Sequence, residues 1–526
     1  MNRLYSIMLL LCPFMAHAVF NPTAGTPLWN IAAETGIIAS AIEGTQTRIQ
    51  QSDLSGGTYT ISSPGRYAVV ENLTAPALAT TINITASNVY LDLNGFTING
   101  AGGGANIIDA TSGTSNIYIG NGVLINAPSI GVNIRNNTTN VVLENIQATN
   151  SSSGVGFQIQ DTNTCFLINC ATANNATAGA SLNTVERVII NNFSSDADAA
   201  IGISLLDSSN VQIKDVSIFA SGTHGISFSG TTSAVSLENF EIFEPASNGI
   251  NIASGIFAIC IENGCIIHPA SDAVNLAGNN EDISIINVNV NNADNGFAFG
   301  DNCINIILDG CLAEKCLSAG FTATDMGNSS WLNCSSDFNG SNGFSIDSTG
   351  TNNTDFRNQN ILIDSCTAKG NGLNGFVLGQ NNQLSVCTLQ NCVALQNGGS
   401  DFTPSIGFNF LLTLVGSTIK NNIAEEGGIA NFQFQDALSG NTGGLNQIID
   451  NIGRTSSNNA GSNFVDGNTN ANIYLANFAS SNSGVLTNNY LFTGGSPTVP
   501  TITVVSGTLM NVTTDLTRWT NISATP

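Results

Sequence analysis

GISLLDSSNVQIKDVSIFASGTHGISFSGTTSAVSLENFEIFEPASNGINI, residues 202–252, contains one short sentence written three times. A Gly opens an apolar–polar–apolar strand at Gly202, Gly225 and Gly249, 23 and then 24 residues apart. Each unit carries a second alternating strand, VQIKD at 211–215 or VSLEN at 235–239. Strands of this length, repeated at a fixed short period, cannot bury an apolar face alone and must stack on one another.

The sentence extends in both directions. Gly-led strands recur at GVNI (131), GFQI (156), GASL (179), GFAF (296), GFTA (320), GFSI (343), GFVL (375) and GFNF (407), with AVNL at 273 and NFQF at 431. Their inward column reads Val132, Phe157, Ala180, Ile203, Ile226, Ile250, Val274, Phe297, Phe321, Phe344, Phe376, Phe408 and Phe432. A turn column holds Asn145, Asn169, Asn192, Asp215, Asn239, Asn263, Asn287 and Asn333, whose amides suit rung-to-rung hydrogen bonding. No unit shows a helical period, and LxxLxLxxN is absent.

This pattern resembles the right-handed parallel β-helices, the pectin-lyase-like solenoids, over roughly residues 60–450. YAVVENL…ITASNVYLDLNGFTING (67–100) resembles the first rungs of bacterial members. The resemblance implies an all-β coil of about 15 rungs at ~4.8 Å each, roughly 70 Å long. It does not fix an activity, because this fold carries many. The organisation expected is a signal peptide at 1–18, a helical cap at 19–58, the β-helix at 59–440, and an irregular cap or small β segment at 441–526. The helix is read over 29–50, from an apolar stripe at Ile31, Ile37, Ile38, Ile42 and Ile49.

Composition narrows the partners. The formal charge is -24, with 12 Lys and Arg against 36 Asp and Glu. Nucleic acid is excluded as a partner, since binding it needs clustered cations. An anionic polysaccharide meets the same objection unless Ca²⁺ bridges the charges; no other cofactor is implied. Arg3, the apolar run Leu4–Met15 and Ala16-His17-Ala18 read as a secretory signal, so the chain is expected outside the cytoplasm: secreted, periplasmic or on the cell surface. The run is too short for a transmembrane anchor, and Leu11 before Cys12 argues against a lipid anchor. Nothing in the sequence specifies an oligomeric state. Cys170, Cys311, Cys334, Cys366 and Cys392 fall in a column that elsewhere holds Ile146, Phe193, Val216, Phe240 and Val288, which reads as thiols in a core; inter-rung disulfides are the alternative.

The candidate sites follow from what the columns carry. THGISFSG (223–230) resembles a strand of polygalacturonases, but the paired aspartates and the Arg-x-Lys of that pattern have no counterparts here. His224 instead occupies a turn column with Asn248, Asp272, Asn295, Asn342 and Asn374. The outward column of the Gly-led strands from Asn133 to Gln433 contains no ionisable residue, so that stretch lacks the groups for proton transfer. The second strand stack does carry charge, at Glu144, Lys214, Glu238, Glu262, Asp309 and Asp364. Glu238 and Glu262 on adjacent rungs are the catalytic candidates, at a spacing of about 5 Å that retaining glycosidases use. Asp301, Asp325 and Asp347 form a turn row that offers oxygen ligands to Ca²⁺. Finally, insertions at 349–360 and 397–406 flank a strip formed by Ser345, Val377 and Asn409, with Phe356, Arg357, Asp401 and Phe402 as candidate walls. Rings beside hydrogen-bonding groups suit a neutral sugar. The expected function is thus a β-helix that binds or presents glycans, adhesin-like; the alternative is a polysaccharide lyase or glycoside hydrolase.

Overall fold

The computed structural model describes residues 46–378, apart from 56, 76–78, 102–104, 111–112 and 348–359. Beyond 378 it describes 384–385, 387–398, 406–411, 414–415, 417–425, 430–435, 446–455, 462–466, 473–475, 477–481, 490–492, 502–504 and 522–524. The fold is an all-β parallel solenoid, divided into two compact units at Ala270 and Ser271.

In the first unit each turn of the coil has three faces. The turn beginning at Ile226 is representative. Ile226–Ser229 forms the first face, and Ser233–Phe243 forms the second and third, bent at Asn239. Asn239 sits at φ 54°, a left-handed conformation that asparagine tolerates better than other side chains. The bend reverses which side chains point inward. Val235 and Leu237 enter the core before it, Phe240 and Ile242 after it, all at 2% exposure or less.

Parallel pairing sets the register. On the first face Tyr59, Ile82, Ile108, Val132, Phe157, Ala180, Ile203, Ile226 and Ile250 are successive partners. The opening Gly is required by close approach. A Cβ on Gly202 would stand 2.6 Å from Ile218 Cγ2 and 2.7 Å from the Gly225 carbonyl oxygen.

The second unit repeats the plan with aromatic filling. Val274, Phe297, Phe321, Phe344, Phe376, Phe408 and Phe432 are successive partners on its first face. The rings of Phe297, Phe321, Phe344 and Phe376 stack with centroids 4.8, 4.7 and 4.8 Å apart. Pairing in register continues through Phe464 and Tyr490. The described strands past the boundary expected at 440, Gln447–Ile449, Ile452–Thr455 and Ser462–Asp466, still pair in register with the preceding rung, in a stretch of sequence that has lost the opening glycines.

The expected N-terminal cap is corrected at its C-terminal edge. Thr47–Ile49 is a strand paired with Tyr67–Val69, so Ile49 belongs to a rung and not to a helix. The remainder, 29–45, lies outside the described residues, as do the signal segment and Cys12.

The 11 described cysteines are thiols and not disulfides, and nine are buried; Cys260 and Cys265 are half-buried. Cys170 pairs in register with Phe193, as core membership requires.

Candidate functional site

On the first face of the first unit, the residue between the two inward positions points away from the core. In register these residues are Thr60, Asn83, Asp109, Asn133, Gln158, Ser181, Ser204, Ser227 and Asn251. Every one can donate or accept a hydrogen bond. A second outward column runs beside it through Gln160, Asn183, Leu206 and Ser229. Gln158, Ser181, Ser204 and Asn251 are half-buried, so their tips reach the surface, whereas Asp109, Asn133 and Ser227 are buried and offer no open surface. The result is a polar strip on a rigid sheet, with side chains repeating every ~4.8 Å.

The column read from the sequence begins at Asn133 and is uncharged; the register carries it upstream to a charged residue, Asp109. Asp109 lies two rungs before Gln158, upstream of the Gly-led series, in the strand Ile108–Ala110, which lacks the opening glycine. Without that marker the sequence column starts three rungs too late, missing Thr60, Asn83 and Asp109. Asp109 is 6% exposed. One oxygen accepts from Asn133 Nδ2 at 3.1 Å and the other from Arg135 Nη2 at 3.1 Å. Arg135 Nε and Asn83 Oδ1 are buried without a partner. The strip thus has one charged position, the third of nine, followed by a neutral run of six from Asn133 to Asn251.

The other sequence candidates separate. Glu238 and Glu262 are register partners, as expected. Glu238, however, accepts from Lys214 Nζ at 3.3 Å, and Glu262 accepts from the Cys260 thiol at 3.0 Å. Each carboxylate is engaged within its own sheet rather than across a cleft. Asp301, Asp325 and Asp347 do not form a cage. Asp347 is the partner of Thr324, which displaces it one position from Asp325. Among the described residues no three His, Cys, Asp or Glu side chains gather as a metal site. In the strip of the second unit, Ser345, Val377 and Asn409 are register partners. Ser345 is 8% and Val377 1% exposed, so neither offers an open surface. Phe356, Arg357, Asp401 and Phe402 lie outside the described residues.

His224 has a structural role. Its Nδ1 accepts the backbone N–H of Asn248 at 3.4 Å, on the next rung. In the second unit the same turn column is held by side chains, with Asn295 Nδ2 donating to Asp272 at 2.8 Å and Asn374 Nδ2 to Asn342 at 3.1 Å.

No family model matches the sequence, and no curated protein does. Among solved structures, the chain is similar to the periplasmic alginate epimerase AlgG at 11% identity and TM-score 0.31, covering 71% of this chain and 84% of that one. It is similar to PfbA, a surface adhesin of Streptococcus pneumoniae, at 12% identity and TM-score 0.36, covering 67% and 91%. It is similar to the catalytic domain of a GH87 α-1,3-glucanase at 13% identity and TM-score 0.37, covering 64% and 66%. At this likeness the activities of those proteins do not transfer to this chain. No helix among the described residues is long and apolar enough to cross a membrane.

Proposed function

We propose that this chain is an exported β-helix that binds a hydroxyl-rich glycan along the outward strip of its first unit. The observation that carries the reading is the unbroken register column from Thr60 to Asn251, in which all nine side chains are polar and only one of them, Asp109, is charged; its open stretch is centred on Gln158, Ser181 and Ser204. Regularly spaced amides and hydroxyls on a stiff sheet can match a polymer whose hydroxyls also repeat. Because every side chain of the column but Asp109 is neutral, and Asp109 is paired with Arg135, binding would not depend on counterion release, in contrast to a polyanion site. The secretory pattern of residues 1–18 supports an envelope or extracellular location.

Asp109 favours a second reading, in which the strip also cleaves its ligand. Its column neighbours are Asn83 and Asn133, so the pair of carboxylates used by most glycosidases is missing from the column. Both Asp109 oxygens are also occupied by Arg135 and Asn133. Binding without cleavage is therefore the better-supported reading. A glycan array followed by product analysis on each hit separates the two: retained ligand of unchanged length fits binding, and shortened or unsaturated products would show catalysis.

A further inference from the structure

The second face of the first unit carries an outward column unlike its neighbours. Arg66, Tyr90, Tyr118, Val142, Phe166 and Ile189 are successive register partners. The Arg66 guanidinium lies over the Tyr90 ring at 4.9 Å, and Tyr90 and Tyr118 stack at 4.3 Å, 4° from parallel. Tyr118 donates its hydroxyl to Glu144 at 3.0 Å. Although they face away from the core, Tyr118, Val142 and Phe166 are only 4%, 1% and 9% exposed. Further along the same column Gln212, Ser236 and Cys260 have the same geometry and are half-buried. Among the described residues, the partly buried hydrophobic side chains packed against the cluster are Tyr90, Ile168 and Ile189, all from the same sheet surface. An outward Val at 1% exposure needs a cover that its own sheet does not supply.

We propose that the chain preceding Gln46 docks on this column, so that residues 19–45 form an intramolecular strap across the outside of the solenoid. Three observations converge on that occupant. First, Thr47 pairs with Tyr67, and carrying the register back one residue sets Gln46 beside Arg66, at the foot of the column. The segment therefore begins where the apolar surface begins. Second, the column spans five rung steps, about 24 Å. Residues 19–45 reach that distance even as a helix, at about 1.5 Å per residue. Third, the chemistry matches. The segment carries Leu28, Trp29, Ile31, Ile37, Ile38 and Ile42, and its only charges are Glu34 and Glu43. Glu43 lies three residues from Gln46, within reach of Arg66.

The test uses the full chain, two point variants and a chain starting at Gln46. In the wild type, residues 19–45 should resist limited proteolysis. Val142→Glu places an uncompensated charge under the strap and should release it, with cleavage N-terminal to residue 46 at least tenfold faster. Gln212→Glu, on the same column beyond the cluster, should leave the rate unchanged. A chain starting at Gln46 should bind a hydrophobic dye that the wild type does not. A synthetic peptide of residues 19–45 should displace the dye at one peptide per chain. Equal cleavage of wild type and Val142→Glu would overturn the proposal, as would a truncated chain that ignores the peptide. A truncated or full-length chain that covers the column by dimerising, seen by light scattering, would also overturn it in favour of a second copy.

Discussion

His224 shows how one side chain can be read in two ways. Its Nδ1 can accept the Asn248 N–H only when that nitrogen is unprotonated. Burial lowers its pKa below the ordinary 6.5. The unfolded chain then takes up the proton first, so stability present above about pH 6.5 is lost as pH falls. His224→Asn should leave stability at pH 7 within about 0.5 kcal/mol, because asparagine already serves this column. Between pH 7 and pH 5 the variant should lose less melting temperature than the wild type; an equal or greater loss would contradict the neutral acceptor. Asp109 makes the opposite case, since its two partners have no substitute. Asp109→Ala should cost about 1–2 kcal/mol by denaturant titration, the lower part of the range for an orphaned charged group, since Arg135 is 41% exposed and so partly solvated. The thiols give a third residue-level outcome. Burial pushes Cys170 and Cys387 up to about 12 and Cys303 and Cys316 up to about 11. A thiol reagent at pH 8 should label at most Cys260 and Cys265 in the native chain, and all the cysteines only after unfolding; four or five disulfides would contradict the core assignment.

At the scale of elements, side-chain ladders hold one rung to the next. Phe344 stacks between Phe321 and Phe376, at 4.7 and 4.8 Å, and is fully buried. Phe344→Ala should cost about 3–5 kcal/mol, because neighbouring rungs cannot collapse into the gap. A loss below about 1 kcal/mol would mean that the ring is not enclosed. The exposed Asn ladder acts at the bends: Asn169 donates to Asn145 at 3.1 Å and accepts from Asn192 at 2.8 Å, at φ 53°. Asn169→Ala should cost about 1–2 kcal/mol, combining a left-handed alanine with lost hydrogen bonds. Both ladders were legible in the sequence, because a constant period superimposes one rung on the next and turns Phe or Asn into a column. What the period did not mark was also what the reading missed. Asp109 lies on a rung without the opening glycine, and the rungs beyond 440 lose the same marker. The pairing of Tyr118 with Glu144 was hidden differently. It joins neighbouring outward columns on adjacent rungs, and a pattern read along one column at a time does not connect them.

At the scale of the molecule, a solenoid stores its information in nearest-neighbour contacts, and its exterior is free to vary. That freedom makes the strip from Thr60 to Asn251 informative, since burial does not require nine polar residues in succession on one outward column. The central claim is that this strip binds a glycan through neutral hydrogen-bonding groups. The measurement that tests it most directly is calorimetric titration of a panel of neutral and uronate-containing oligosaccharides. The titration compares the wild type with the triple variant Gln158→Leu, Ser181→Leu, Ser204→Leu, whose substitutions all lie on the outward face. A neutral oligosaccharide is expected to bind the wild type, and the triple variant to bind it at least tenfold more weakly with the melting temperature unchanged. Binding of equal strength by the triple variant, or binding confined to the uronate members of the panel, would contradict the central claim.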